Sequence, residues 1–180
     1  MAESRAKIIL DFAKWTALSA LRRAPIKSRE HVYQLLDEIA FAQVLRPGPP
    51  VARQDFDKWH ETQTLGLTAR ESLLVTGWGA KLINVYLKTA AYVGDLGREG
   101  LREALHPPID AGLWAGFADK FRERPDILKE VRCVRRIKDI ANYAIYRRII
   151  VGCRSAADTL GCSLIEVEQL WQGSVTPVSN

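Results

Sequence analysis

The sequence predicts an all-α protein, an orthogonal multi-helix bundle rather than a coiled coil. Three observations carry this. Apolar residues recur at steps of three and four through nearly every segment. No strand-like alternation runs beyond a few residues. Capping residues and Pro/Gly breaks cut the chain into helix-length pieces. The 180 residues are enough for one domain with a sizeable core. They read as a single helical domain over 1–172, followed by a loose tail over 173–180, with no internal repeat.

Each element has its own justification. From Glu3 to Arg23, Ile8, Ile9, Phe12, Trp15, Leu18 and Leu21 keep helical spacing, and Ala24-Pro25 ends the run. Ser28 is an N-cap, with His31 at the capping-box position, before Val32, Leu35, Leu36, Ile39 and Ala40. Arg46-Pro-Gly-Pro-Pro50 is a rigid loop, and Asp55 to Thr62 suits a short helix bearing Trp59 and His60. Thr68-Ala-Arg-Glu71 has the form of a capping box and predicts a helix start at Thr68. At Gly77-Trp78-Gly79 two courses are open. One is a single long helix from Ala69 to Val93 that tolerates both glycines at about 1 kcal/mol each. The other is a short helix, a tight hairpin and a second helix from about Ala80 to Val93, which two glycines favour. The second course makes Lys81 a first-turn residue and sets a helix–hairpin–helix element near residues 69–93.

Further on, Gly94 to Gly100 is a loop, and Leu101 to Leu105 allows a helical turn. His106-Pro-Pro-Ile-Asp110 is extended up to its prolines, and Asp110 can cap a helix through Leu113, Trp114 and Phe117. Asp126 is a second candidate cap after the Arg124-Pro125 turn. One or two basic helices then run from Ile127 to about Leu160, and a last one from Ser163 to Trp171. Trp15, Trp59 and Trp171 read most simply as core, and Tyr143 and Tyr146 as either inward or surface aromatics.

Composition excludes several classes. With 47% apolar and 26% charged residues, no apolar run approaches the roughly 18–20 residues of a membrane span. The N-terminal stretch lacks a cleavable signal pattern, so a cytoplasmic location is expected. Three cysteines, Cys133, Cys153 and Cys162, are too few and too scattered for a disulfide framework, a four-thiolate cluster or zinc spacing. Three dispersed histidines predict no catalytic metal, and no cofactor is implied. His31 and His60 read as surface or core-edge residues, and His106 as a loop residue or a pocket residue. Net charge is +5, but Lys120 to Arg154 alone carries +7 and the remainder −2. That asymmetry fits a polyanion-binding face, or simply solvated helix faces. Arg132, Arg135 and Arg136, at i, i+3 and i+4, would share one helical face that grips phosphates.

The stretch Thr76-Gly-Trp-Gly-Ala-Lys-Leu-Ile-Asn84 carries the chemistry. A cation in a helix's first turn opposes the macrodipole at a cost of about 0.3–1 kcal/mol. Together with Lys88, that placement would favour a neutral, nucleophilic Lys81 amine. The main-chain N–H groups of Gly77, Trp78 and Gly79 could face a phosphate, and Lys88 is a further candidate nucleic-acid contact. Lys81, Asn84 and Lys88 would form one polar stripe.

Gly77-Trp-Gly-Ala-Lys81 resembles the Gly-x-Gly-x-Lys of helix–hairpin–helix DNA glycosylases, above all the 8-oxoguanine DNA glycosylase group. Pro107-Pro-Ile-Asp110 is similar to that family's Pro-Val-Asp stretch. The resemblance covers residues 73–117. It implies that Lys81 is the amine attacking the sugar C1′, that Asp110 assists, and that double-stranded DNA bearing a damaged or mismatched base is the partner. It also implies a pocket for the flipped nucleotide, to which Asn84, His106 and Trp114 are assigned. The Lys81-to-Asp110 separation of 29 positions exceeds the family's spacing, and Val75-Thr76 replaces its Leu-Pro. The reading from another class is a non-enzymatic helical module binding nucleic acid or an acidic protein.

Overall fold

The computed structural model describes residues 2–173, with side chains from Glu3 onward; the tail from 174 lies outside the described residues. The chain is all-helical among them. Helix α1 spans Ala2–Ala20, α2 Arg29–Asp37, α3 Ala42–Leu45, α4 Arg53–Arg70 and α5 Thr76–Leu87. A π-helical turn, Lys88–Val93, extends α5, and α6 is Leu101–Ala104. Then come α7 Ala111–Lys120, α8 Pro125–Val131, a 3₁₀ turn Ile137–Asp139, α9 Tyr143–Leu160 and a final 3₁₀ helix Ile165–Leu170. None of these helices is long and apolar enough to cross a membrane.

Two apolar clusters fill the interior. The first gathers α1 to α6 around Phe56, Leu67, Leu82, Ile83 and Leu87; the second gathers α7 to α9 around Phe117, Tyr146, Ile149 and Val167. Helix α5 belongs to both, since Ala80 packs in the second cluster and Leu82 and Ile83 in the first. It is buried nearly all round, and only Lys81 and Val85 along it are even partly open.

Several expected boundaries move. The chain turns between Arg70 and Thr76, not at Gly77-Trp78-Gly79, which lie in the first turn of α5. The glycines answer packing rather than a hairpin. The Gly77 N–H donates to Ile140 O at 3.0 Å, and a Cβ there would overlap the Ile137 carbonyl. Thr68 caps nothing: it sits in the last turn of α4, its Oγ1 donating to Leu65 O at 3.2 Å. Glu71 instead accepts from the Leu73 N–H and pairs with His31 Nε2 at 2.6 Å. Asp126 is likewise no cap but an N2 residue behind Pro125, the favoured N1 residue. Helix α4 runs well beyond the expected Asp55–Thr62, because Phe56, His60, Thr64 and Leu67 continue one buried face. Ser28 and Asp110 do cap α2 and α7, accepting from the N–H groups of His31 and Leu113.

Candidate active site

Lys81 and Asp110, 29 positions apart, meet: Nζ lies 3.1 Å from Oδ2, with the side chains 12% and 24% exposed. The capping role orients the carboxylate. Asp110 Oδ1 accepts the Leu113 N–H at 3.1 Å and the Trp171 indole N–H at 2.9 Å, which leaves Oδ2 for the ammonium. Lys81 Nζ also stands 5.8 Å from the centroid of the Trp78 ring, in the range of a cation–π contact. Lys81 is the sixth residue of α5, however, so the macrodipole argument for a first-turn lysine does not apply. Lys88 does not crowd it with free charge, because its Nζ is bound to Glu168 at 2.7 Å.

Beside the pair lies an open cleft of about 450 Å³, walled by Lys88, Tyr92, Ile165, Glu168, Gln169 and Trp171. Trp171 belongs to both places. Its ring lines the cleft and its N–H holds Asp110, so the indole links the pair to the cleft. Expected as core, Trp171 is 49% exposed. The segment before it seats tightly on α7, where a Cβ at Gly116 would overlap the Leu170 carbonyl. Burial pushes the Glu168 carboxyl above its ordinary range, an effect the bound Lys88 opposes.

The other assigned residues fall elsewhere. Gly77, Trp78 and Gly79 are buried, and the Gly77 N–H is already bonded, so this triplet offers no phosphate contact. Asn84, His106 and Trp114 do not line this cleft; all three are interior, and Trp114 Nε1 donates to Val131 O at 2.8 Å within the second cluster. Arg132, Arg135 and Arg136 share no helical face, since α8 ends at Val131. They are exposed on an irregular stretch, and Arg136 is held by a bidentate bond to Asp139. Among the described residues, Arg132 and Arg135 have no carboxylate within ion-pair distance. Trp15 is 53% exposed because Ala13 and Ala17 are the fully buried residues of α1; Trp59 is partly buried against Phe41 and Phe56.

What sequence reasoning missed is a buried polar chain behind the pair. Its hydrogen polarity follows from one acceptor. Asn84 Nδ2 faces the Pro107 carbonyl at 3.1 Å, which can only accept, and also reaches Tyr146 Oη at 2.8 Å. Asn84 Oδ1 must then accept from His60 Nε2–H at 2.8 Å, so His60 Nδ1 accepts from the Tyr143 hydroxyl at 2.8 Å. Tyr146 in turn donates to His106 Nδ1 at 3.1 Å, and His106 Nε2–H to Asp57 at 2.8 Å. Arg154 closes the chain on both Asp57 oxygens, at 2.6 and 2.7 Å. Burial drives both imidazole pKa values down; His106 weighs further against a charge on His60, while Asp57 partly offsets the effect at His106. The signal was a polar residue at each apolar-period position: His60 in the run Phe56, His60, Thr64, Leu67, and Asn84 among Leu82, Ile83 and Leu87.

No family model, curated protein or solved structure matches the chain.

Proposed function

We propose that the protein is a DNA base-excision glycosylase/lyase that uses Lys81 as its nucleophile and Asp110 as its partner carboxylate. The observation that supports this is the 3.1 Å Lys81–Asp110 contact, mostly withdrawn from solvent and oriented by two further donors. In the reaction, Lys81 gives a proton to Asp110. The free amine attacks C1′ of a damaged or mismatched nucleotide, and the base departs with the electrons of the glycosidic bond and takes the proton held by Asp110. The second nitrogen proton passes to the ring oxygen as the C1′–O4′ bond breaks and the sugar ring opens, which yields a Schiff base. The Asp110 carboxylate, restored when the departing base takes its proton, offsets the positive charge of the protonated Schiff base. Displacement of the exposed Trp171 indole would open the pair to the cleft, where a flipped nucleotide has room. Borohydride trapping on abasic-site duplex DNA tests the reading. A covalent adduct is expected with the wild-type chain and none with Lys81→Ala; no adduct from the folded wild-type protein would refute it.

The second reading, a non-enzymatic nucleic-acid-binding module, is favoured by the exposed Arg132 and Arg135, which have no ion-pair partner among the described residues. It predicts salt-dependent DNA binding without any adduct.

A further inference from the structure

We propose that Asn84 is the positioning residue that sets the register between the helix bearing Lys81 and the segment bearing Asp110. This rests on the Schiff-base reading above for its enzymatic consequence, but not for its geometry. The same two stretches of chain are joined twice. Lys81 of α5 meets Asp110, and Asn84, one turn later on α5, meets the carbonyl of Pro107, three residues before Asp110. Two contacts at matched offsets fix both translation and rotation of one stretch on the other, where a single ion pair would leave a pivot.

Asn84 can do this because both polar atoms of its amide are engaged by neighbours. It is 2% exposed; both amide hydrogens and the carbonyl are engaged, by Pro107, Tyr146 and His60. The far end of the segment is held by the same chain, through Tyr146 to His106 and from His106 to the Asp57–Arg154 pair. Prolines at 107 and 108 stiffen the few residues between His106 and Asp110. A buried residue that touches neither cleft nor surface therefore determines where the carboxylate stands. Misplacing a catalytic group by about 1 Å can cost on the order of 100-fold in rate.

The test reads the pair directly. Amine acylation followed by mass spectrometry gives labelling rates for Lys81 and, as an internal control on the π-helical turn that extends α5, Lys88. Asn84→Ala is expected to raise Lys81 labelling severalfold, to the level of Asp110→Asn, with Lys88 unchanged. Tyr146→Phe, which removes one partner of Asn84 and keeps the ring, should give a smaller rise and carries the test if Asn84→Ala does not fold. His60→Gln, whose amide can replace the Nε2–H donor, should restore wild-type protection where His60→Ala loses it. Wild-type Lys81 protection in the folded variants, or Lys81 and Lys88 rising together, would overturn the proposal. In the DNA arm, Asn84→Ala should slow single-turnover trapping about tenfold or more while the Kd for abasic duplex stays within about twofold. Absence of wild-type trapping would sink the enzymatic reading alone, because the labelling still decides the register.

Discussion

Asp110 divides its work between two oxygens. Oδ1 caps α7 and takes the Trp171 N–H; Oδ2 takes the Lys81 ammonium. Asparagine caps about as well as aspartate, so Asp110→Asn separates the two duties. It should cost about 1 kcal/mol, read as a small shift of the urea midpoint, yet slow borohydride trapping by about 100-fold or more. The cap itself was legible, because it needs only the residues three positions on. The pairing was visible only through the resemblance, since nothing local joins positions 29 apart. His60 and His106 make a second residue-scale prediction. Burial lowers both folded pKa values beneath the ordinary 6.5, so the unfolded chain binds more protons as pH falls through that value. Stability should therefore be full above about pH 6.5 and decline below it, by up to about 1.4 kcal/mol per pH unit for each imidazole. Denaturation midpoints at pH 7.5 and 5.5 check this, and His60→Gln should flatten the dependence. Neither histidine's burial could be read locally, because their partners come from α5, α9 and the end of α4 nearest Arg53.

At the scale of elements, α5 decides most. The glycines around Trp78 suggested a bend, since glycine is what a tight turn requires. The structure uses Gly77 for a close backbone approach: the Ile137–Ile140 stretch crosses where a side chain would stand. Gly77→Ala should therefore destabilise by about 1–3 kcal/mol, despite alanine's helix advantage of about 1 kcal/mol. A lowered urea midpoint with an unchanged slope is the expected result. The placement of Lys81 in the second turn follows from the same fact, because α5 begins at Thr76 rather than Ala80. Apolar period marked this segment as helical but could not say where the chain enters it. Thr68 and Glu71 had the spacing of a cap, yet the buried face from Phe56 to Leu67 carried α4 straight through Thr68.

For the whole molecule, the two apolar clusters share α5, and the Lys81–Asp110 pair stands where α5 of the first meets the start of α7 in the second. The basic character of residues 120–154 is partly spent internally, in Arg136–Asp139, Arg147–Glu61, Arg148–Glu130 and Arg154–Asp57. If the exposed remainder grips DNA backbone, Arg132→Ala with Arg135→Ala should weaken binding uniformly across sequences. The slope of log K against log salt should fall by roughly 2, measured by anisotropy over a salt series, and Arg136→Ala should change it less. The sequence by itself determined the helical class, the order of the main helices and the caps at Ser28 and Asp110, because period and capping depend on neighbours within one turn. Only the tertiary structure decided which side chains meet. The burial of His60 and Asn84, the exposure of Trp171, the close approach at Gly77 and the distance from Lys81 to Asp110 all depend on where remote segments pack. A one-dimensional pattern states which face is apolar, and packing alone states what that face touches.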